Sequence, residues 1–340
     1  MKTQVLKIDR KRPQPSRIRK ASDMIKSGRL VAFPTETVYG LGANALDARA
    51  VKKIFVAKGR PSDNPLIVHI ANKGDVKMLA DQVPDIAWKL IDRFWPGPLT
   101  IVLKKSKIVP KITTGGLDSV AIRMPKSKIA CHIIRESKTP IAAPSANYFG
   151  RPSPTKAEHV LEDMRGRIDM IIDGGQTRIG IESTVIDLTA KMPTLLRPGG
   201  VTLEQLEKIL GKVRVHPQVM GGKSKGKVRS PGMKYKHYSP RAQVILITGR
   251  SDNVRKRINA MITELKNAGK RVGIIVADKA PYDADAAKFV GARHENLATV
   301  LFRTFREFDS MKIDVILVQG VAKKGLGLGI MNRLEKAARK

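Results

Sequence analysis

The stretch LVAFPTETVYGLGAN, residues 30–44, sets a short apolar run directly before a segment crowded with threonines, a glutamate and two glycines. Residues 30–33 read as a buried strand and residues 34–44 as the polar loop that leaves it. Gly40 and Gly42 permit backbone conformations or close approaches that a β-carbon resists. Thr35 and Thr37 bring hydroxyls to the strand end, which is where ligands of α/β proteins usually sit.

Four further segments repeat the arrangement. KGRPSDNPLIVH, residues 58–69, gathers Lys58, Arg60, Ser62, Asn64 and His69 around a proline-interrupted turn that runs into an apolar strand. Two cations and three hydrogen-bonding side chains on a stiff loop are the parts needed to hold a polyanion such as a nucleoside triphosphate. A solvated basic loop has the same composition, and this stretch alone does not separate the two readings. The strand at 141–143 leads into PSANYFGRPSPT (144–155), and STVIDL (183–188) and LLRPGG (195–200) complete the set. Five polar loops beside strands are poorly explained by chance.

The remaining pattern reads as α/β. Strands are expected near 30–33, 65–70, 99–103, 119–124, 140–143, 170–173 and 183–188, with helices near 85–94, 128–136, 155–164 and 202–210. Ser16 is placed to cap a helix carrying Ile18, Ala21 and Ile25, which Gly28 ends; Ala50, Val51, Ile54 and Phe55 mark a second helix before the basic loop. This mixture predicts a mixed twisted sheet covered by helices over residues 1–211. No acidic residue occurs between Glu207 and Asp252, and GGKSKGK has linker chemistry, so residues 212–241 read as a basic linker. Its PGMKYKHYSP end is stiffened by prolines and carries Tyr235, His237 and Tyr238, which favours a lid over a passive tether. Residues 242–340 alternate strands (244–247, 272–276, 315–318) with amphipathic helices, the pattern of a smaller Rossmann-like parallel domain. The GLGLG run at 325–329 lacks dinucleotide-fingerprint spacing and reads as a tight turn into the last helix.

Composition bounds the function. At 340 residues the chain suggests two domains, each able to bury a core. Its single cysteine, Cys131, lies among isoleucines and reads as a packing residue; one cysteine excludes an intramolecular disulfide and a cysteine-cluster metal site. The six histidines are scattered without metal-ligand spacing. Neither a signal peptide nor a bilayer-crossing apolar run is read, so a cytoplasmic protein without membrane association is expected. The formal charge of +34, from 64 Lys and Arg against 30 Asp and Glu, points to anionic partners. Aromatics at 4% are too few for a base-stacking platform, which leaves transient nucleic-acid contact compatible and sequence-specific reading unsupported.

PTETVYGLG, KGRPSDNPL, PSAN followed by GRPSPT, ESTVID and LLRPG occur in the order seen in the YrdC/YciO family, which residues 1–211 therefore resemble. SPGMKYKHYSP and the C-terminal GLGLGIMNRLEKAA are similar to the long, two-domain branch of that family. The resemblance implies a concave basic cavity on the sheet. It also implies an L-threonylcarbamoyladenylate synthase, which joins L-threonine, bicarbonate and ATP and releases pyrophosphate. The product would feed N6-threonylcarbamoyladenosine formation in tRNA through a KEOPS-type or bacterial-type threonylcarbamoyl transferase. Lys58 and Arg60 are then the catalytic cations. Around ATP the resemblance implies Arg60, Ser62, Asn64, Ser119, Ser145, Ser153, Arg197 and Tyr238, with Asn147 in support. For L-threonine it implies Thr35, Thr37, His69, the Ala143 backbone and Ser183. Arg123, in SVAIRMP, is the expected carboxylate partner because a guanidinium pairs with it bidentately. Mg²⁺ is expected on the ATP phosphates, with no dedicated protein cage. An RNA-binding module without turnover and a carbamoyl-adenylate-forming carbamoyltransferase are the competing readings. The latter resembles larger assemblies with cysteine-rich zinc fingers, which one cysteine argues against.

Overall fold

The segment at 31–44 is a hairpin, β2 (Val31–Pro34) followed by β3 (Tyr39–Asn44), so the expected loop narrows to residues 35–38. The glycines that read as loop signals lie in β3 because that strand passes close over its neighbours. A β-carbon on Gly42 would stand 2.5 Å from the Phe33 ring and 2.9 Å from Ile141. Glycine inside a strand often marks such a close approach.

The computed structural model describes residues 2–222 and 238–339. Its first part runs β1 (Gln4–Lys7), α1 (Pro15–Lys26), β2, β3, α2 (Ala48–Lys58), β4 (Ile67–His69), α3 (Val76–Leu79), α4 (Asp85–Phe94) and β5 (Leu99–Lys104). It continues through β6 (Ser119–Arg123), α5 (Lys128–Ser137), β7 (Ile141–Ala142), α6 (Ala157–Met164), β8 (Met170–Asp173), β9 (Thr184–Asp187), β10 (Thr194–Arg197), α7 (Leu203–Leu210) and β11 (Arg214–Val215). These strands form one 11-stranded sheet in the order β1-β8-β2-β3-β7-β4-β6-β5-β9-β10-β11. Pairings of both senses occur: β4 and β6 run parallel, while β7 runs antiparallel to β3 and β4. Apolar side chains bury both faces, as a sheet sandwiched by helices requires.

Two local expectations need correction. Ser16 does not cap α1: the helix starts at Pro15, whose fixed φ and missing N–H suit a first helical position, and Gln14 precedes it without a side-chain cap. Lys58 is not on a loop but is the last residue of α2, which Gly59 closes in the left-handed conformation at φ 60°.

The second part comprises β12 (Gln243–Ile247), α8 (Ser251–Asn267), β13 (Val272–Val276), β14 (Ala286–Phe289), α9 (His294–Ser310), β15 (Val315–Gln319) and α10 (Leu326–Ala337). Its four strands are all parallel, in the order β12-β15-β13-β14, as an alternating pattern of strands and amphipathic helices dictates. Gly325 does turn the chain into α10, but Gly327 and Gly329 lie within the helix. Gly329 faces Gly199 of the RPGG segment at 3.4 Å from a notional β-carbon, so its reason is contact between the two parts. Gly180 serves the same contact, since a β-carbon there would come within 2.2 Å of the Ala298 carbonyl of α9. Arg306 of α9 fastens the parts further, with Nη2 2.7 Å from Asp163 Oδ2. The expected lid falls largely outside the described residues, including Tyr235 and His237; Tyr238 is described.

Candidate active site

The parallel register of β4 and β6 sets His69 directly beside Arg123 at the ends of their strands. Around this pair a small cavity is lined by Thr37, Arg60, His69, Arg123, Ala143 and Ser145, and across from them by Ser183, Arg197 and Tyr238. Nine residues singled out in the sequence therefore converge from seven separate segments. Its space is about 50 Å³, well short of the several hundred Å³ that a nucleotide-sized ligand occupies. Three larger clefts, about 530, 480 and 440 Å³, are open grooves on the outer surface, and Thr35 is the single sequence-predicted site residue among their walls.

Arg123 is 4% exposed and held at every nitrogen-bearing edge. Nε donates to the Gly97 carbonyl at 3.3 Å, Nη1 to Thr37 Oγ1 at 3.0 Å, and Nη2 stands 2.8 Å from Glu36 Oε1. The Glu36 contact is one of charge without hydrogen-bond alignment. Thr37 Oγ1 lies 2.8 Å from Thr35 Oγ1, which ties the β2–β3 turn together. Thr35 thus supports Thr37 from the groove side.

His69 is 3% exposed, with Nδ1 3.2 Å from the Ile67 carbonyl. Burial and then the Arg123 charge push its pKa down to about 3, so the ring is neutral at physiological pH. Only a proton on Nδ1 makes the carbonyl contact favourable, which leaves Nε2 as an acceptor. On the far wall, Arg197 donates from Nε to the Ser183 carbonyl and from Nη2 to Ser183 Oγ, both at 3.0 Å. Ser183 Oγ also meets Thr100 Oγ1 at 2.8 Å, so its neighbours are a hydroxyl and a guanidinium rather than a base.

The basic segment after α2 is not a solvated loop. Lys58 is 1% exposed and Arg60 7% exposed. Lys58 Nζ donates to the Ser145 carbonyl and, at 2.6 Å, to the Asn147 carbonyl, so it anchors the loop after β7 rather than lining the cavity. Burial and then Arg60 hold its pKa well below the usual lysine range. Arg60 Nη2 reaches the Pro65 carbonyl at 3.1 Å and the Asn64 carbonyl at 3.3 Å, curling the loop beneath the cavity. The Asn64 side chain is fully buried, and its amide finds no partner among the described residues.

The other expected residues are spread around this centre. Ser62 is exposed and Ser119 half-buried at the start of β6, and neither lines the cavity. Asn147 directs its amide to the Tyr148 and Arg151 carbonyls and shapes the loop. Ser153 is buried, its hydroxyl donating to Glu182. Tyr238 forms the roof, 4% exposed, at an uncommon φ of 65° for a residue with a side chain. Its ring stacks on Phe302 with centroids 5.3 Å apart.

Two carboxylates were missed. Glu36 and Glu182 both stand in quoted motifs, PTETVYGLG and ESTVID, yet nothing local shows that each meets a buried arginine from a distant segment. Burial alone would raise the Glu182 pKa, but Arg333 and Arg197 bring it below the usual carboxylate range. Cys131, with its thiol on the Pro125 carbonyl and pushed up in pKa by burial, takes no part. Among the described residues no three His, Cys, Asp or Glu side chains are grouped to hold a metal ion. No described helix is long and apolar enough to cross a membrane. Three arginines and several hydroxyls facing one cavity are groups that bind anions, and the chemistry they offer is electrostatic.

Comparisons with known proteins bear on the family of the chain. Residues 23–199 match the family described as "Telomere recombination", which unites Sua5, YciO and YrdC, and residues 201–339 match "Threonylcarbamoyl-AMP synthase, C-terminal domain". The threonylcarbamoyl-AMP synthase of Pyrococcus abyssi is 56% identical over 329 residues, covering 97% of this chain and 96% of the relative. That of Bacillus subtilis is 48% identical, covering 94% and 92%. The crystal structure of P. abyssi Sua5 complexed with L-threonine superposes with a TM-score of 0.95 at 54% identity, over 99% of this chain and 98% of that one.

Proposed function

The chain belongs to the threonylcarbamoyl-AMP synthase family in its two-domain form, and from that premise we propose how its residues divide the work. The reaction joins L-threonine, bicarbonate and ATP and yields threonylcarbamoyl-AMP and pyrophosphate. Relatives that cover almost the whole chain favour neither an RNA-binding module nor a carbamoyltransferase. The observation that carries the reading is the convergence of Arg60, Arg123 and Arg197 on one cavity with the hydroxyls of Thr37, Ser145 and Ser183.

Arg123 takes the threonine carboxylate, held in plane by Gly97 and Thr37. His69, neutral and with Nε2 as an acceptor, receives the substrate hydroxyl, while Thr37, Ser183 and the Ala143 backbone complete that subsite and Thr35 braces Thr37. The threonine amine adds to bicarbonate with loss of water, and a carbamate oxygen then attacks the α-phosphorus and expels pyrophosphate. Negative charge gathers at each step, so fixed cations and donors carry the catalysis without a covalent nucleophile. Arg60 and Arg197 serve the nucleotide phosphates with Ser145, Asn64 and Ser62, while Ser119, Ser153 and Tyr238 surround the adenylate. Lys58 contributes by fixing the Ser145 and Asn147 carbonyls. Mg²⁺ arrives as part of the ATP substrate, because the nearby carboxylates, Glu36 and Glu182, are each already paired with an arginine. At about 50 Å³ the cavity must open under Tyr238 to admit ATP.

The product is a mixed anhydride that hydrolyses readily, which calls for prompt transfer to a threonylcarbamoyl transferase of the KEOPS or bacterial type acting on tRNA. The excess of positive charge favours a transient meeting with that tRNA, and the ATP supply and single cysteine favour the cytoplasm. Pyrophosphate release measured with threonine and bicarbonate omitted in turn tests the assignment. Dependence on both is expected; equal release without threonine would overturn it.

A further inference from the structure

Glu182 puts a carboxylate on the wall of a cavity that otherwise presents Arg60, Arg123 and Arg197. A carboxylate there opposes the binding of a polyanion and competes with it for Arg197. The residue that cancels it comes from the other part of the chain. Arg333, in the middle of α10, is fully buried, and its Nε donates to Glu182 Oε2 at 3.0 Å. Its Nη1 is held by the Pro198 carbonyl at 2.7 Å, next to Arg197, and its guanidinium lies 5.5 Å from the centre of the Tyr238 ring. The other Glu182 oxygen accepts the Ser153 hydroxyl. The close approach of Gly329 to Gly199 brings α10 near enough for this reach.

We propose that Arg333 is a positioning residue through which the C-terminal domain keeps Glu182 neutralised, leaving Arg197 and the oriented Ser153 hydroxyl available to the nucleotide. This rests on the synthase reading for the identity of the nucleotide. It assigns the C-terminal domain a defined part in ATP binding, delivered by one side chain that itself faces no substrate. The pair also explains why an arginine is buried so deeply at a domain contact: a guanidinium spans Glu182 and the Pro198 carbonyl at once, which a lysine ammonium on one point cannot do.

The test uses the full-length protein at pH 8, with ATP affinity measured by calorimetry and kinetic constants measured by pyrophosphate release. Arg333→Met should weaken ATP, in both Kd and KM, by about tenfold or more, while the threonine KM stays within about threefold, because the uncompensated carboxylate faces the nucleotide wall. Adding Glu182→Gln to Arg333→Met should restore ATP affinity to within about threefold of Glu182→Gln alone. A purely structural role for Arg333 predicts no such rescue. Arg333→Lys, which keeps a charge beside Glu182 but gives up the second contact to the Pro198 carbonyl, should weaken ATP less than Arg333→Met does. The inference is overturned if folded Arg333→Met binds ATP normally, if the double variant binds as poorly as Arg333→Met, or if Arg333→Lys is as impaired as Arg333→Met. Should Arg333→Met not fold, the lysine variant and the rescue in the double variant decide the matter. Failure of the synthase reading is separate, since it appears as threonine-independent pyrophosphate release by the unaltered protein.

Discussion

Replacing Arg123 with lysine should raise the threonine KM while leaving ATP little changed. The guanidinium lines the cavity and is fixed there by Gly97, Thr37 and Glu36. Lysine keeps the positive charge beside Glu36 but offers a single point in place of the planar fork. One charge-assisted hydrogen bond to the substrate carboxylate is lost, worth about 1.5–3 kcal/mol, which corresponds to roughly a 10- to 150-fold rise in KM. The ATP constant should move less than about threefold, because the nucleotide contacts lie on Arg60 and Arg197. Folding should survive, since Glu36 retains a cationic neighbour. Arg123→Ala is the contrasting case: it strands Glu36, whose side chain is 6% exposed, at a cost of about 3–5 kcal/mol of stability. Initial rates of pyrophosphate release across separate threonine and ATP titrations, with thermal melting alongside, measure both effects. A lysine variant whose ATP constant rises while its threonine constant holds would place Arg123 on the wrong substrate.

Lys58→Met should cost about 2–5 kcal/mol of stability, because the buried Asn147 carbonyl and the partly buried Ser145 carbonyl lose their donor; an unchanged urea midpoint would refute the anchoring role. Stability should also fall as pH drops from 6.5 to 5, above the range where carboxylates titrate. His69 and His159 both have folded pKa values of about 3, through burial first and then the charges of Arg123 and Arg306 respectively. The unfolded chain, with histidine near 6.5, therefore binds more protons in this window, and acid favours unfolding. The decline should be shallower in His159→Gln, and an identical slope in that variant and the unaltered protein would count against this account.

What the sequence determined on its own was whatever a few adjacent residues encode. The apolar runs at 99–103, 119–124 and 170–173 became β5, β6 and β8 because a strand buried on both faces needs continuous hydrophobic residues. The polar segments beside β2, β4, β7, β9 and β10 proved to meet, since strand ends in one sheet lie side by side. Tertiary structure decided the rest. Residues 39–44 became a strand because Gly42 must pass the Phe33 ring, a contact no local pattern records. Lys58 was drawn inward because carbonyls 87 and 89 residues away needed a donor. Glu36 and Glu182 found arginines on distant segments, Arg333 lying 151 residues from Glu182. Local propensity is set by the backbone and its near neighbours, whereas the pairing of buried charges depends on which segments the folded sheet and the docked C-terminal domain bring within about 4 Å of each other.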